Sequence, residues 1–76
     1  MNAARRKAIS EAIALIDQAH DLVENVANEE RESFDNLPEG LQESERGERM
    51  DEIASALEEA YMTLTDVVDQ LTDAAE

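Results

Sequence analysis

Met50, Ile53, Leu57, Ala60, Leu64, Val67, Leu71 and Ala74 follow one another at alternating steps of three and four, and every one is apolar. That spacing keeps one stripe of an α-helix turned toward a neighbour for several heptads. The N-terminal half repeats it with Ile9, Ile13, Ile16, His20, Val23, Ala27, Glu30 and Phe34. Two such stripes predict an all-α chain: helices over about 3–34 and 45–75, folded as an antiparallel hairpin, with residues 1–76 as one domain.

Both stripes are wider than a two-stranded seam needs. Ala12, Leu15, Ala19, Leu22 and Val26 run beside the first, and Ala54, Tyr61, Val68 and Ala75 beside the second. Burying a Leu or Val is worth roughly 1.5–3 kcal/mol, and two helices alone leave these flanks in water. The expectation is a homodimer or higher, two hairpins forming a four-helix bundle through Leu15, Leu22, Val26, Tyr61 and Val68. Chain length points the same way. A domain this small often needs disulfides, metals or oligomerisation, and the chain has no cysteine and one histidine.

The connection is short and rich in turn signals. Asn36 is expected to cap a single helical turn, with Glu39 completing a capping box. Pro38 fits that first turn, where its missing N–H costs nothing. Gly40 is expected to end it in the left-handed region, and Ser44 to cap the second helix. Leu37 and Leu41 are expected to plug the end of the hairpin against Phe34 and Met50. So short a connection makes the helices antiparallel, in a register that sets Ala27 against Leu57 and His20 against Leu64. Arg5, Arg6 and Lys7 then lie near Asp73 and Glu76, where they offset an acidic C-terminal turn that opposes its own helix dipole. Gly47, early in the second helix, is expected to mark a close approach near Phe34.

Twenty Asp and Glu against six Lys and Arg give a net charge of −14. This disfavours direct binding to nucleic acid or anionic lipid, which is driven by phosphate neutralisation. It suits a basic protein surface, although solvated charge on a helical bundle is the commoner reason for such a balance. No apolar run reaches the roughly 18 residues of a membrane span, and Glu11, Asp17 and Asp21 interrupt any signal-peptide core after the basic N-terminus. The chain reads as cytoplasmic, without membrane contact.

Asp17, His20, Asp21 and Glu24 cluster within two turns, which resembles half of a di-iron bundle site. Such sites need carboxylates projecting inward from facing helices. Asp17, Asp21 and Glu24 belong to the outer face, and the second stripe offers no carboxylate, so no metal or other cofactor is expected. His20 reads instead as a polar seam member that bonds Tyr61 or a carboxylate and fixes register. Glu30 has Arg46 and Arg49 as expected partners. Met62 falls among polar residues as an exposed outlier. No nucleophile–base pair or phosphate-cradling glycine loop is present, so no enzyme activity is expected.

From Phe34 to Met50 the sequence Phe-Asp-Asn-Leu-Pro-Glu-Gly-Leu-Gln-Glu-Ser-Glu-Arg-Gly-Glu-Arg-Met resembles a group of small acidic helical-hairpin proteins of bacteriophages and prophages. They share the Asn-Leu-Pro-Glu-(Gly/Ser)-Leu-Gln turn, then Ser-Glu-Arg-Gly-Glu, then a Glu- and Ala-rich amphipathic helix. The match is close over the turn and the start of the second helix; elsewhere the helices match in character only. The resemblance implies a phage-related origin and a bacterial host cell. It implies no catalytic residue and no particular activity.

Two readings of function follow. In the first, a non-catalytic interaction module engages a basic host or phage protein through Asp51, Glu58, Glu59, Asp66, Asp69 and Asp73. In its sharpest form this is a nucleic-acid mimic that blocks a defence or replication protein. Helical carboxylates one or two turns apart lie about 5–11 Å from each other, comparable with phosphate spacing. In the second, the chain is a structural or assembly accessory that works through oligomerisation and the hairpin tip formed by Asn36, Leu37, Pro38, Gly40 and Leu41, with the acid face inert.

Overall fold

In the computed structural model, which describes all 76 residues, the chain is a helical hairpin: α1 (Ala3–Asp35), a one-turn helix α2 (Glu39–Gln42) and α3 (Glu45–Ala75). The rod measures 58 × 15 × 13 Å. α1 starts where Asn2, in extended backbone, accepts a hydrogen bond from Arg5 N–H at 2.8 Å, which satisfies an otherwise unpaired donor of the first turn. It stops before Leu37-Pro38, because a proline disfavours helical geometry in the residue preceding it.

The turn differs in detail from the expected one. Asn36 does not cap the next helix; it is the C-terminal cap of α1, with its N–H donating to Glu32 and Phe34 carbonyls. The short helix begins only at Glu39, and Pro38 takes the capping position with extended backbone and no side-chain hydrogen bond. Pro38 has already left helical geometry, and its carbonyl accepts from Leu41 and Gln42 N–H at 2.8 and 3.1 Å. Gly40 lies inside that helix at ordinary negative φ, not in the left-handed region. Gln42 does the joining: its side-chain amide donates to the carbonyls of Phe34 at 3.3 Å and Leu37 at 3.1 Å, so the open end of α1 is closed by a residue beyond the turn. Ser44 caps α3 as expected, accepting from Gly47 N–H at 3.2 Å while its hydroxyl donates to the Leu41 carbonyl.

Of the expected plug, Leu37 is half-buried, but Leu41 is 52 % exposed. Pro38 and Gln42 commit the backbone here to a tight helical turn. Its inner side is occupied by Gly47, which is buried, and the Leu41 side chain points outward. Gly47 does mark a close approach, though to the end of α2 and not to Phe34. A Cβ there would collide with the Leu41 and Gln42 carbonyl oxygens and stand 2.7 Å from the Gln42 carbonyl carbon.

α1 turns its expected stripe inward: Ile9, Ile13, Ile16, His20, Val23, Ala27, Glu30 and Phe34 are all buried or half-buried. α3 is rotated relative to expectation. Met50, Ile53, Leu57, Leu64, Val67 and Leu71 of the expected stripe are half-buried, but Ala60 and Ala74 are exposed. Ala54, fully buried, joins the seam with the half-buried Tyr61, Val68 and Ala75. Tyr61 and Val68, expected at an interface between hairpins, therefore belong to the seam within one hairpin. The rotation shifts the register by about a turn. His20 packs edge-on against Tyr61, with ring centroids 5.4 Å apart and planes at 89°, and Arg6 Nε donates to the Ala75 carbonyl at 3.1 Å. The only fully buried side chains are Ala27 and Ala54. Small residues there let the helices approach closely, but no large side chain is fully withdrawn from water. A two-helix rod has no room for a third shell of atoms around its seam.

Candidate interaction surfaces

Arg31 defines one long edge of the rod. From α1 its guanidinium donates to Asp51 at 2.7 Å, to Ser55 at 3.2 Å and to Glu58 at 2.9 and 3.4 Å, all on α3. It also lies 5.7 Å from the centre of the Phe34 ring, within cation–π range. The two carboxylates hold the Arg31 pKa above its ordinary value, Glu58 contributing most through its hydrogen bonds and Asp51 next. Residues one heptad apart share a face of a helix, so Asp17 and Glu24 lie on this edge with Arg31, and Thr65 and Thr72 with Asp51 and Glu58. The edge is polar throughout.

The opposite edge is of another character. Between Ala8 and Val26 of α1 its positions are Ala8, Ala12, Leu15, Ala19, Leu22 and Val26. Between Ile53 and Ala74 of α3 they are Ile53, Ala56, Ala60, Thr63, Val67, Gln70 and Ala74. None is charged, in a chain where 34 % of residues are. Leu15 is 65 % exposed, Leu22 68 % and Val26 47 %. These three expected interface residues lie together on one apolar strip roughly 27 Å long, separate from Tyr61 and Val68. Arg5 and Glu29 stand at its two ends on α1, both exposed, and neither forms an ion pair within the chain.

The back of α3 carries the acid. Glu52, Glu59, Asp66 and Asp73 recur once per heptad and are all exposed, so they form a row at about 10.5 Å intervals. Asp69 lies beside it, also exposed. Of the six residues expected to form an acid face, Glu59, Asp66, Asp69 and Asp73 are free of ion pairs, whereas Asp51 and Glu58 are held by Arg31. Arg49 pairs with Glu52 at 3.2 Å, its neighbour on the same helix, and neither Arg49 nor Arg46 pairs with Glu30. The basic N-terminal cluster reaches α3 through the Arg6 hydrogen bond to the Ala75 carbonyl, a cap on the negative end of the helix, and makes no ion pair with Asp73 or Glu76.

His20 Nδ1 lies 3.2 Å from Asp21, so the histidine has both an aromatic and a carboxylate neighbour. No three of the chain's His, Asp and Glu side chains converge where a metal ion could sit, and the surface has no cavity. No helix is long and apolar enough to cross a membrane. Sequence reasoning missed Arg31 and Gln42. Arg31 was legible in principle, since it stands on the same outer edge as Asp51 and Glu58 and nearly level with Asp51. Gln42 gave no signal, because its partners exist only once the turn has formed. No known family, curated protein or solved structure matches this chain.

Proposed function

We propose that this chain is a non-catalytic protein-interaction module of phage origin, which self-pairs into a four-helix bundle and presents the back of α3 to a basic host or phage protein in the bacterial cytoplasm. The observation that carries the reading is the row Glu52, Glu59, Asp66 and Asp73, in which three of the four carboxylates have no ion pair. A helix fixes their spacing before any partner arrives, and fixed charges bind with less ordering cost than mobile ones. At one carboxylate per roughly 10.5 Å the row matches about every third phosphate of a nucleic-acid strand, and this supports the mimic form of the reading. A second reading, an assembly accessory with an inert acid face, draws support from the exposed tip residue Leu41 and from the apolar strip.

The test is capture from bacterial lysate at low and high salt with the parent chain and a variant carrying Glu59→Gln, Asp66→Asn, Asp69→Asn and Asp73→Asn. The proposed function expects a nucleic-acid-binding protein retained by the parent at low salt, released at high salt and not retained by the variant. A partner that binds both chains equally, resists salt and is lost on Leu41→Ser assigns the activity to the tip instead.

A further inference from the structure

We infer that the apolar edge is covered by a second copy of this chain lying antiparallel to the first, α1 on α1 and α3 on α3, with the two hairpin tips at opposite ends of the bundle. The inference rests on the self-pairing proposed above and adds the surface, the orientation and the register.

The strip on α1 is complementary to itself reversed. Take Asp17 as its midpoint and pair positions equally far on either side. Leu15 then falls against Ala19 of the second copy, Leu22 against Ala12, and Val26 against Ala8. Each large side chain meets an alanine, which is how two helices pack at the short end of the roughly 8–10 Å range. The next pair outward is Arg5 with Glu29. These are the exposed charges that close the strip at its two ends, they are opposite in sign, and each lacks a partner within its own chain. A two-fold axis uses both twice.

α3 supplies an independent check. The contacts of His20 with Tyr61 and of Arg6 with Ala75 put Asp17 level with Leu64. The uncharged strip positions Ile53, Ala60, Val67 and Ala74 of α3 are centred between Thr63 and Leu64. One two-fold axis therefore centres both strips. About it Ile53 meets Ala74 and Val67 meets Ala60, again large against small. An isologous contact requires a surface that is its own complement. The α1 strip meets that requirement over its whole length, and on α3 Ile53, Ala60, Val67 and Ala74 meet it about the same axis, while Ala56, Thr63 and Gln70 fall opposite seam positions. The Arg31 edge, which carries Asp17, Glu24, Asp51 and Glu58, stays outside, so two chains of −14 each meet on a strip whose α1 charges are only the paired Arg5 and Glu29 at its ends.

The experiment uses the full chain and sedimentation equilibrium. Arg5→Glu and Glu29→Arg singly turn two attractions per dimer into two repulsions and should each weaken dimerisation roughly tenfold. The double variant restores opposite signs and should return to within about threefold of the parent. Since the chain has no cysteine, Ala8→Cys and Val26→Cys chains can be mixed and oxidised. The proposed register expects the mixed disulfide to dominate, because two copies of position 8 lie roughly 27 Å apart. A dimer in which the charge swap gives no rescue and the mixed disulfide does not form overturns the register while leaving self-pairing intact. A helical monomer at 100 µM overturns both.

Discussion

Arg31 of α1 and Glu58 of α3 are joined by two hydrogen bonds, from Nη2 at 2.9 Å and from Nε at 3.4 Å, while Nη1 of the same guanidinium reaches Asp51 at 2.7 Å. One planar cation thus spans about two turns of the opposite helix. Lysine cannot do this, because an ammonium group is a point donor without the fork. Arg31→Lys should lower stability by about 0.5 kcal/mol and Arg31→Met by about 1 kcal/mol, modest values for a partly exposed pair. Circular dichroism during urea unfolding reads both. The raised pKa gives a further check. A cation whose folded pKa is raised contributes stability that is fully present below its unfolded value and is lost only as pH rises through the folded one. Arg31 therefore adds no slope to stability between pH 6 and 9, and the cost of Arg31→Met should be the same at both.

The two glycines should respond to alanine with opposite signs. At Gly47 a Cβ meets the backbone carbonyls of Leu41 and Gln42, which cannot swing aside as a side chain would. Overpacking of that kind costs about 1–3 kcal/mol, against a helix-propensity gain of about 1 kcal/mol. At Gly40 nothing lies within 4 Å of the added carbon and φ is negative, so only the gain remains. Gly47→Ala should lower the melting temperature by several degrees and Gly40→Ala should hold or raise it. Equal shifts would show that the end of α2 is free to move.

The seam of α1 was legible because its isoleucines occupy a single stripe and the neighbouring edge is bracketed by charge. The seam of α3 was legible in part: Met50, Ile53, Leu57, Leu64, Val67 and Leu71 are half-buried as expected, but two adjacent stripes of that helix are apolar over the same length. Periodicity finds both and cannot rank them. What ranks them is contact: Gly47 under the carbonyls of α2, Ala54 small enough to be fully buried, and Tyr61 against His20. The same ambiguity assigned Tyr61 and Val68 to a surface between hairpins, although both are half-buried within one, while Leu15, Leu22 and Val26 are exposed as expected. The acid face was half legible. Counting carboxylates found Asp51 and Glu58, but their neutralisation by Arg31 depends on which edge of α1 lies beside which edge of α3, and the antiparallel register alone could have supplied that.

Leu22, Met62 and Val68 separate the two apolar surfaces from ordinary exposure. Leu22 and Met62 are similarly exposed, at 68 % and 61 %. Leu22 lies within the uncharged strip, whereas Met62 stands among acids on the outer side of α3. Under the self-pairing proposed above, Leu22→Glu should give a monomer in sedimentation, and Met62→Glu should leave the pair assembled. Val68 faces α1, so Val68→Glu should cost the hairpin itself about 2 kcal/mol or more through burial of an unpaired carboxylate. Its signature is loss of helix by circular dichroism and not dissociation alone.

The carboxylates of α3 should divide into two classes when neutralised. Glu59, Asp66, Asp69 and Asp73 are exposed and without ion pairs in a chain of net charge −14. They repel one another, and a net charge far from zero opposes compaction. Converting all four to Asn or Gln should hold or raise the melting temperature, and the gain should shrink in about 0.5 M salt, where the Debye length is well under 10 Å. Asp51 and Glu58 belong to the other class. Asp51→Asn with Glu58→Gln removes both anions from Arg31 and leaves its guanidinium with only neutral partners, so the melting temperature should fall despite the lower net charge. Salt separates the two effects, since close hydrogen-bonded pairs are screened less than long-range repulsion. A rise for both variants would mean that the Arg31 cluster is a by-product of charge density. A fall for both would mean that the acid row is structural, and a binding defect in the quadruple variant could not then be credited to lost attraction for a basic partner.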